Sequence, residues 1–138
     1  MEVFNLFIFN RRGDCLFYQQ WDRTNAPLSL AEEQKLMFGL IYSLKSFVSK
    51  SSPQTGDTFK YYKTSTYKLH FFESLTGIKF ILLTEPGAGD LSATLKEIYN
   101  NYVRFCTKNP LYKIGDPIKC DLFSQSLQAQ IQKLKSGK

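Results

Sequence analysis

The chain has 138 residues, 43% hydrophobic, 15% aromatic and 22% charged, a length that holds one domain and leaves no room for a second core. Twelve Phe, eight Tyr and one Trp bury too much apolar surface for a disordered chain. The net charge of +6 is uneven: residues 1–103 carry eleven Lys/Arg against ten Asp/Glu, and residues 104–138 carry seven against two.

A basic C-terminal third suits either a solvated helix face or a surface for nucleic acid, anionic lipid or an acidic protein. No apolar run approaches the roughly 18 residues that a membrane span needs. Met1 to Arg12 lacks a basic start, and Asn5 and Asn10 break its apolar run, so it does not read as a signal peptide. Three widely spaced cysteines fit reduced thiols better than a disulfide framework. These features describe a cytosolic or peripherally attached globular protein, with one domain over residues 1–135 and a short basic tail at 136–138.

Val3 to Phe9 is rich in β-branched and aromatic residues and reads as a strand. Arg11-Arg12-Gly13-Asp14 supplies a turn, and Cys15 to Trp21 the returning strand. Arg12-Gly13-Asp14 also spells an adhesion tripeptide, which is read here as turn chemistry. After the polar connection Asp22 to Pro27, Ser29-Leu30-Ala31-Glu32 matches a capping box. The helix it opens is expected to reach about Lys50. Leu36, Leu40, Leu44 and Val48 fall every four residues with Met37, Ile41 and Phe47 beside them, which predicts Leu40 and Leu44 at the buried centre. Ser51 to Gly56 ends the helix in a loop.

Three strands follow, at Thr58–Thr64, Tyr67–Leu75 and Ile78–Thr84, with a tight turn at Thr76-Gly77. Phe80-Ile81-Leu82-Leu83 is apolar without alternation, the pattern of a central strand covered on both faces. A second helix is expected over Leu91–Lys108, with Asp90 as its cap and Leu95, Ile98, Tyr99, Tyr102, Val103 and Cys106 on its apolar side. Asn109-Pro110 stops it. Asp116-Pro117 predicts a third helix, with Asp as N-cap and Pro at the first position, whose stripe is Cys120, Phe123, Leu127, Ile131 and Leu134. The order β-β-α-β-β-β-α-α gives an α/β (α+β) domain with a five-stranded, mostly antiparallel sheet. One helix covers one face and two cover the other.

Catalytic patterns are thin. His70 is the single histidine and sits mid-strand among Leu69, Phe71 and Phe72, as a structural residue would. One His and three scattered Cys do not assemble a zinc site at ordinary spacing. Cys106 and Cys120 fall on apolar stripes and Cys15 opens a strand, so inert thiols are expected. Gly87-Ala88-Gly89 lacks the Lys and the third glycine of the phosphate-binding patterns. No metal or cofactor site emerges, and the chain does not read as an enzyme. The chemistry lies in surfaces instead. The strand Cys15–Gln20 can lie at a sheet edge with unpaired backbone groups, and the first helix carries Phe38, Tyr42 and Lys45 beside its stripe. The expected partner interface is therefore Leu16, Tyr18, Phe38, Tyr42 and Lys45.

The run Lys35-Leu36-Met37-Phe38-Gly39-Leu40-Ile41-Tyr42-Ser43-Leu44-Lys45-Ser46-Phe47-Val48-Ser49-Lys50 closely resembles the first helix of the subunit 1 family of the trafficking protein particle (TRAPP) tethering complex. Phe4 to Phe9 with Gly13, Tyr62 to Glu73, Thr76-Gly77-Ile78-Lys79, Asn109-Pro110-Leu111, and Leu122-Phe123 with Ser126-Leu127 are similar in the same register. The stretch Trp21–Leu28 is short for that family, and the tail after Leu134 is short and basic. The resemblance implies a longin-like (SNARE-like) fold. It also implies assembly with other small TRAPP subunits, longin-like and of a larger α/β type. The assembled core would tether vesicles between endoplasmic reticulum and Golgi and promote nucleotide exchange on a Rab GTPase. Contact with the Golgi or vesicle membrane would be peripheral, and nucleic acid would not be bound. The competing readings are a stand-alone basic module for anionic membrane or nucleic acid, and a longin-type adaptor small subunit. Aromatic residues on core stripes, not interleaved with Lys on one strand face, count against a nucleic-acid platform.

Overall fold

The structure, a computed structural model, describes residues 2–21, 30–51, 61–65, 67–113 and 116–135. Ser29 and the side chains of residues 30–32, which would form the capping box, lie outside the described residues, as do the connection 22–27, the loop 52–56, residues 58–60 and the tail 136–138. Five strands are present: β1 (Val3–Phe9), β2 (Cys15–Gln20), β3 (Tyr61–Lys63), β4 (Lys68–Glu73) and β5 (Lys79–Thr84). They pair in the order β2-β1-β5-β4-β3, antiparallel at every junction. Helix α1 (Leu30–Ser51) separates β2 from β3, while α2 (Ser92–Tyr102) and α3 (Asp121–Lys135) follow the sheet.

All six residues of β5 are buried, because this strand lies at the centre of the sheet with a helical layer on each side. Phe80 and Leu82 enter one core with Leu6 and Ile8 of β1, Leu95, Ile98 and Tyr102 of α2, and Phe123, Leu127 and Ile131 of α3. Ile81 and Leu83 enter the other, with Phe7, Phe9, Leu69, Phe71 and Ile41 of α1. The period of two along a strand makes this split unavoidable. The unbroken apolar run thus marks the central strand, as expected.

Helix α1 sits on the sheet by a different face from the one its leucines suggest. Ile41 is fully buried, with Met37 and Phe38 packed beside it. Leu40 and Leu44 are half-buried, and Leu36 is 75% exposed. The docked stripe is turned from Leu36–Leu40–Leu44 towards Phe38 and Ile41, because Phe38 has a specific seat. Its ring meets Phe9 edge-on at a centroid distance of 5.7 Å and lies over the β1–β2 turn. Gly13 in that turn has φ +94°, and a Cβ there would lie 2.9 Å from the Phe38 ring. The Asn10 side-chain oxygen accepts the N–H groups of Arg12 and Asp14 at 3.0 and 2.9 Å. Arg12-Gly13-Asp14 is thus a turn pinned beneath a helix.

The C-terminal helices depart from expectation. α2 ends at Tyr102 and passes into a π-helical turn, Val103–Thr107. Cys106, four residues after Tyr102, is buried in this turn as Leu95, Ile98 and Tyr102 are in α2. The N-cap of α2 is Leu91 and not Asp90, which stands one residue earlier and accepts the Ser92 N–H at 3.0 Å. α3 begins at Asp121, not at Asp116-Pro117. Ile118 explains the delay: its side chain is buried in the core, and its N–H donates to the Leu16 carbonyl of β2 at 2.9 Å. Pairing with a strand edge overrides the local helix signal, and Cys120 therefore precedes the helix instead of lying on its stripe.

His70 is buried, with Nε2 2.9 Å from Thr84 Oγ1. Burial, reinforced by the neighbouring Lys68, lowers its pKa to about 4. Lys68 is itself buried, donating to the Ala88 carbonyl at 2.9 Å and lying 4.5 Å from the Tyr61 ring centre. These polar groups lock the loop after β5 against β4.

Three outcomes are expected. Ile41→Ala should lower stability by about 2 to 5 kcal/mol and Leu36→Ala by less than about 0.5 kcal/mol, read from urea midpoints. Gly13→Ala forces a side chain into a positive-φ position against Phe38 and should cost roughly 1 to 3 kcal/mol, read the same way. His70 binds its proton less well when folded than when unfolded. Stability should therefore be flat above pH about 6.5 and fall as pH drops from about 6.5 towards about 4. His70→Gln should remove that part of the slope, seen by comparing melting curves of the two proteins across the window.

Candidate partner interface

Five residues were expected to meet a partner, and the fold separates them. Leu16 is 4% exposed and belongs to the core under α2 and α3, so its side chain is withdrawn from the interface. The bulge opposite Ile8 and Phe9 leaves Leu16 unpaired with β1 and puts both Leu16 and Phe17 on the α2–α3 side, and the Ile118 N–H covers the Leu16 carbonyl. Tyr18 is half-buried on the α1 side of the sheet, 4.9 Å from the Phe7 ring. Its hydroxyl donates to Gln20 Oε1 at 2.9 Å and accepts from Asn5 Nδ2 at 3.5 Å. Phe38 is half-buried beneath α1, with the Lys79 ammonium 5.6 Å from its ring centre. Lys79 is held by Glu73 at 3.5 Å. Tyr42 is 69% exposed. Lys45 lies in α1, but its side chain is outside the described residues.

The accessible part of the site is therefore the outer face of α1. At 100° per residue, Gly39 falls between Tyr42 on one flank and Leu36 on the other, with exposed Ser43 one turn on. Gly39 faces open space. Two large apolar side chains flanking a shallow notch give a helix surface that another helix can approach closely. Leu36 was assigned to the core by its spacing. The signal that it is not lies in Phe38: an aromatic residue flanking a leucine stripe can pull the buried face towards itself.

β2 is an outer strand of the sheet, as expected. Its edge is covered at Leu16 by Ile118, while Phe17 to Gln20 lie beyond that cover. The other outer strand, β3, exposes Tyr61 and Tyr62. Among the described residues, no group of three or more His, Cys, Asp or Glu could hold a metal ion, and no helix is long and apolar enough to cross a membrane.

Residues 3–134 match the Sybindin-like family. A Dictyostelium discoideum protein named trafficking protein particle complex subunit 1 is 43% identical over 97% of each chain. Its rat namesake is 42% identical over 97% of this chain and 94% of its own. A Bos taurus protein named subunit 4 of the same complex is 35% identical over 80% of this chain and 51% of its own. Among solved structures, a protein described as MglB with tetrameric arrangement superposes with a TM-score of 0.51 at 13% identity. It covers 69% of this chain and 71% of its own, a likeness of fold alone. With a five-stranded antiparallel sheet, one helix on one face and two on the other, and relatives matched almost end to end, the chain has a longin-like fold and belongs to the Sybindin-like family.

Proposed function

We propose that the chain is a non-catalytic core subunit of a TRAPP vesicle-tethering complex, acting in transport between endoplasmic reticulum and Golgi. In this reading it contributes, with its partner subunits, to nucleotide exchange on a Rab GTPase at the cytoplasmic side of those membranes. The observation that carries the reading is the near full-length identity to proteins named as subunit 1 of that complex. A non-catalytic role is supported by what its reactive residues already do. His70, the single histidine, is buried, held neutral and bonded to Thr84. Exchange itself needs no chemistry. A complex that binds the nucleotide-free GTPase more tightly than the loaded one shifts the population towards release.

The outer face of α1 supplies a surface of the right kind for a partner of the same fold. Leu36 and Tyr42 offer apolar area, Gly39 and Ser43 permit close approach, and Tyr18 of the outer strand β2 lies on the α1 side of the sheet. The kinship to a subunit 4 protein across four-fifths of this chain supports a longin-like partner packing helix beside helix.

Two measurements test this reading. Release of a fluorescent guanine nucleotide from the Rab should be slow with this chain alone and with a core lacking it, and fast with the full core. Full activity from the core lacking this chain contradicts the proposal. Leu36→Asp with Tyr42→Asp should leave the circular dichroism and melting temperature of the isolated chain unchanged, since both side chains are exposed. At the contact the pair would bury unpaired carboxylates, so capture of the longin-like partner should fall at least tenfold. Retained capture by the folded double variant places the contact elsewhere.

A further inference from the structure

A cleft of about 390 Å³ opens between the π-helical turn and the segment leading into α3, lined by Phe105, Cys106, Leu111, Tyr112, Pro117 and Cys120 among others. Two of the three thiols of the chain meet there. Cys106 is 2% exposed, whereas Cys120 is half-exposed and its Sγ donates to the carbonyl of Phe105 at 3.5 Å. The residue that carbonyl precedes is Cys106, so the Cys120 thiol sits against the backbone at Cys106, and both cysteines line the same cleft. Cys15 lies on the opposite side of the sheet, packed in the α1 core, so the sheet itself keeps it away from the pair. Hydroxyls brace the cleft wall: Tyr112 donates to the Asp116 carbonyl at 2.7 Å and lies 3.0 Å from the Tyr102 hydroxyl.

We propose that Cys106 and Cys120 are a dithiol modification site, which closes to a reversible intramolecular disulfide by exchange with a low-molecular-weight disulfide of the glutathione class. The accessible Cys120, as thiolate, attacks one sulfur of oxidised glutathione. The glutathione S–S bond breaks, one glutathione thiolate leaves, and a mixed disulfide forms on Cys120. The Cys106 sulfur then attacks the Cys120 sulfur, the second glutathione departs with the electron pair, and it takes up the proton that Cys106 releases. Two protein thiols are oxidised, and one glutathione disulfide is reduced to two glutathione molecules. Cys106 is buried and Cys120 half-exposed, so Cys120 is the thiol a glutathione disulfide reaches first and Cys106 the one that meets the mixed disulfide from within.

The bond would close a ring over residues 106–120 and fasten the segment that contains Ile118. Through the Ile118 N–H to the Leu16 carbonyl, the cover on the outer edge of β2 would be fixed in the oxidised chain. The pair thus joins the redox state of a cleft on the α3 side to the sheet edge.

Incubating the full chain with oxidised glutathione, then alkylating the unfolded protein and mapping it by mass, tests this directly. The expected product has lost two hydrogens, yields a peptide joining Cys106 to Cys120, and leaves Cys15 as the one alkylated thiol. Its melting temperature should rise by roughly 10 °C and return on treatment with dithiothreitol. Cys106→Ser should instead accumulate a glutathione adduct on Cys120, and Cys15→Ser should still form the bond. A wild-type chain that stops at the Cys120 adduct, forms a bond involving Cys15, or leaves Cys120 unreacted overturns the proposal. The wild-type map decides this even if Cys106→Ser fails to fold.

Discussion

The burial of β5 on both faces is the constraint on which the molecule depends. A strand whose side chains alternate through Phe80, Ile81, Leu82 and Leu83, all withdrawn from water, cannot be satisfied by one helical layer. Each of these residues contributes on the order of 1.5 to 3 kcal/mol of hydrophobic stabilisation. Leaving either face open would forfeit about half of that. β1 and β4 must therefore flank β5, and helices must cover both sides. The outward positions follow: β2 and β3 become the edges, and the far face of each helix becomes surface.

The two layers are not equivalent. The α2–α3 layer is stitched to itself and to the sheet: Gln130 donates to the Thr94 carbonyl at 3.0 Å, Trp21 donates to Gln128 at 2.8 Å, and Ile118 joins the β2 edge. Among the described residues, the other layer is α1 alone. A single helix on a sheet face leaves more than half its circumference to solvent, and here that outer side displays Leu36 and Tyr42 instead of an all-polar surface. The inner side is fixed by Ile41 and by Phe38 over the glycine turn. The orientation of the outer side is thereby fixed as well, so a partner would meet a preset arrangement and not a rolling helix.

Much of this was legible in the amino-acid order. β1 was readable to the residue from Val3 to Phe9, and the central strand followed from the loss of alternation at Phe80–Leu83. The glycine turns at Gly13 and Gly77 were marked by residues that tolerate φ of +94° and +86°. What was not legible depended on tertiary contacts. Counting leucines put Leu40 and Leu44 at the buried centre of α1, because periodicity cannot weigh one aromatic seat against three leucines and a valine. Asp116-Pro117 is a good local helix start, yet Ile118 gains a strand-edge hydrogen bond and core burial by staying out of the helix. Of the expected interface residues, Tyr42 is fully on the surface, Tyr18 and Phe38 are shared with the core, and Leu16 lies within it. Edge position was inferred correctly for β2, but which side chains of an edge strand point inward depends on the register with β1. That register contains a bulge between Ile8 and Phe9, which no short-range pattern announced.

The central claim is that the α1 layer, and not the α2–α3 layer, is the side this chain offers to a longin-like partner. Amide hydrogen exchange of the chain, alone and bound to a subunit 4-type partner, tests it most directly. The account predicts added protection in α1 and at Phe17 to Gln20 of β2, with β5 unchanged because it is already buried. Protection confined to α2, α3 or the β3 edge, with α1 exchanging as in the free chain, would contradict it.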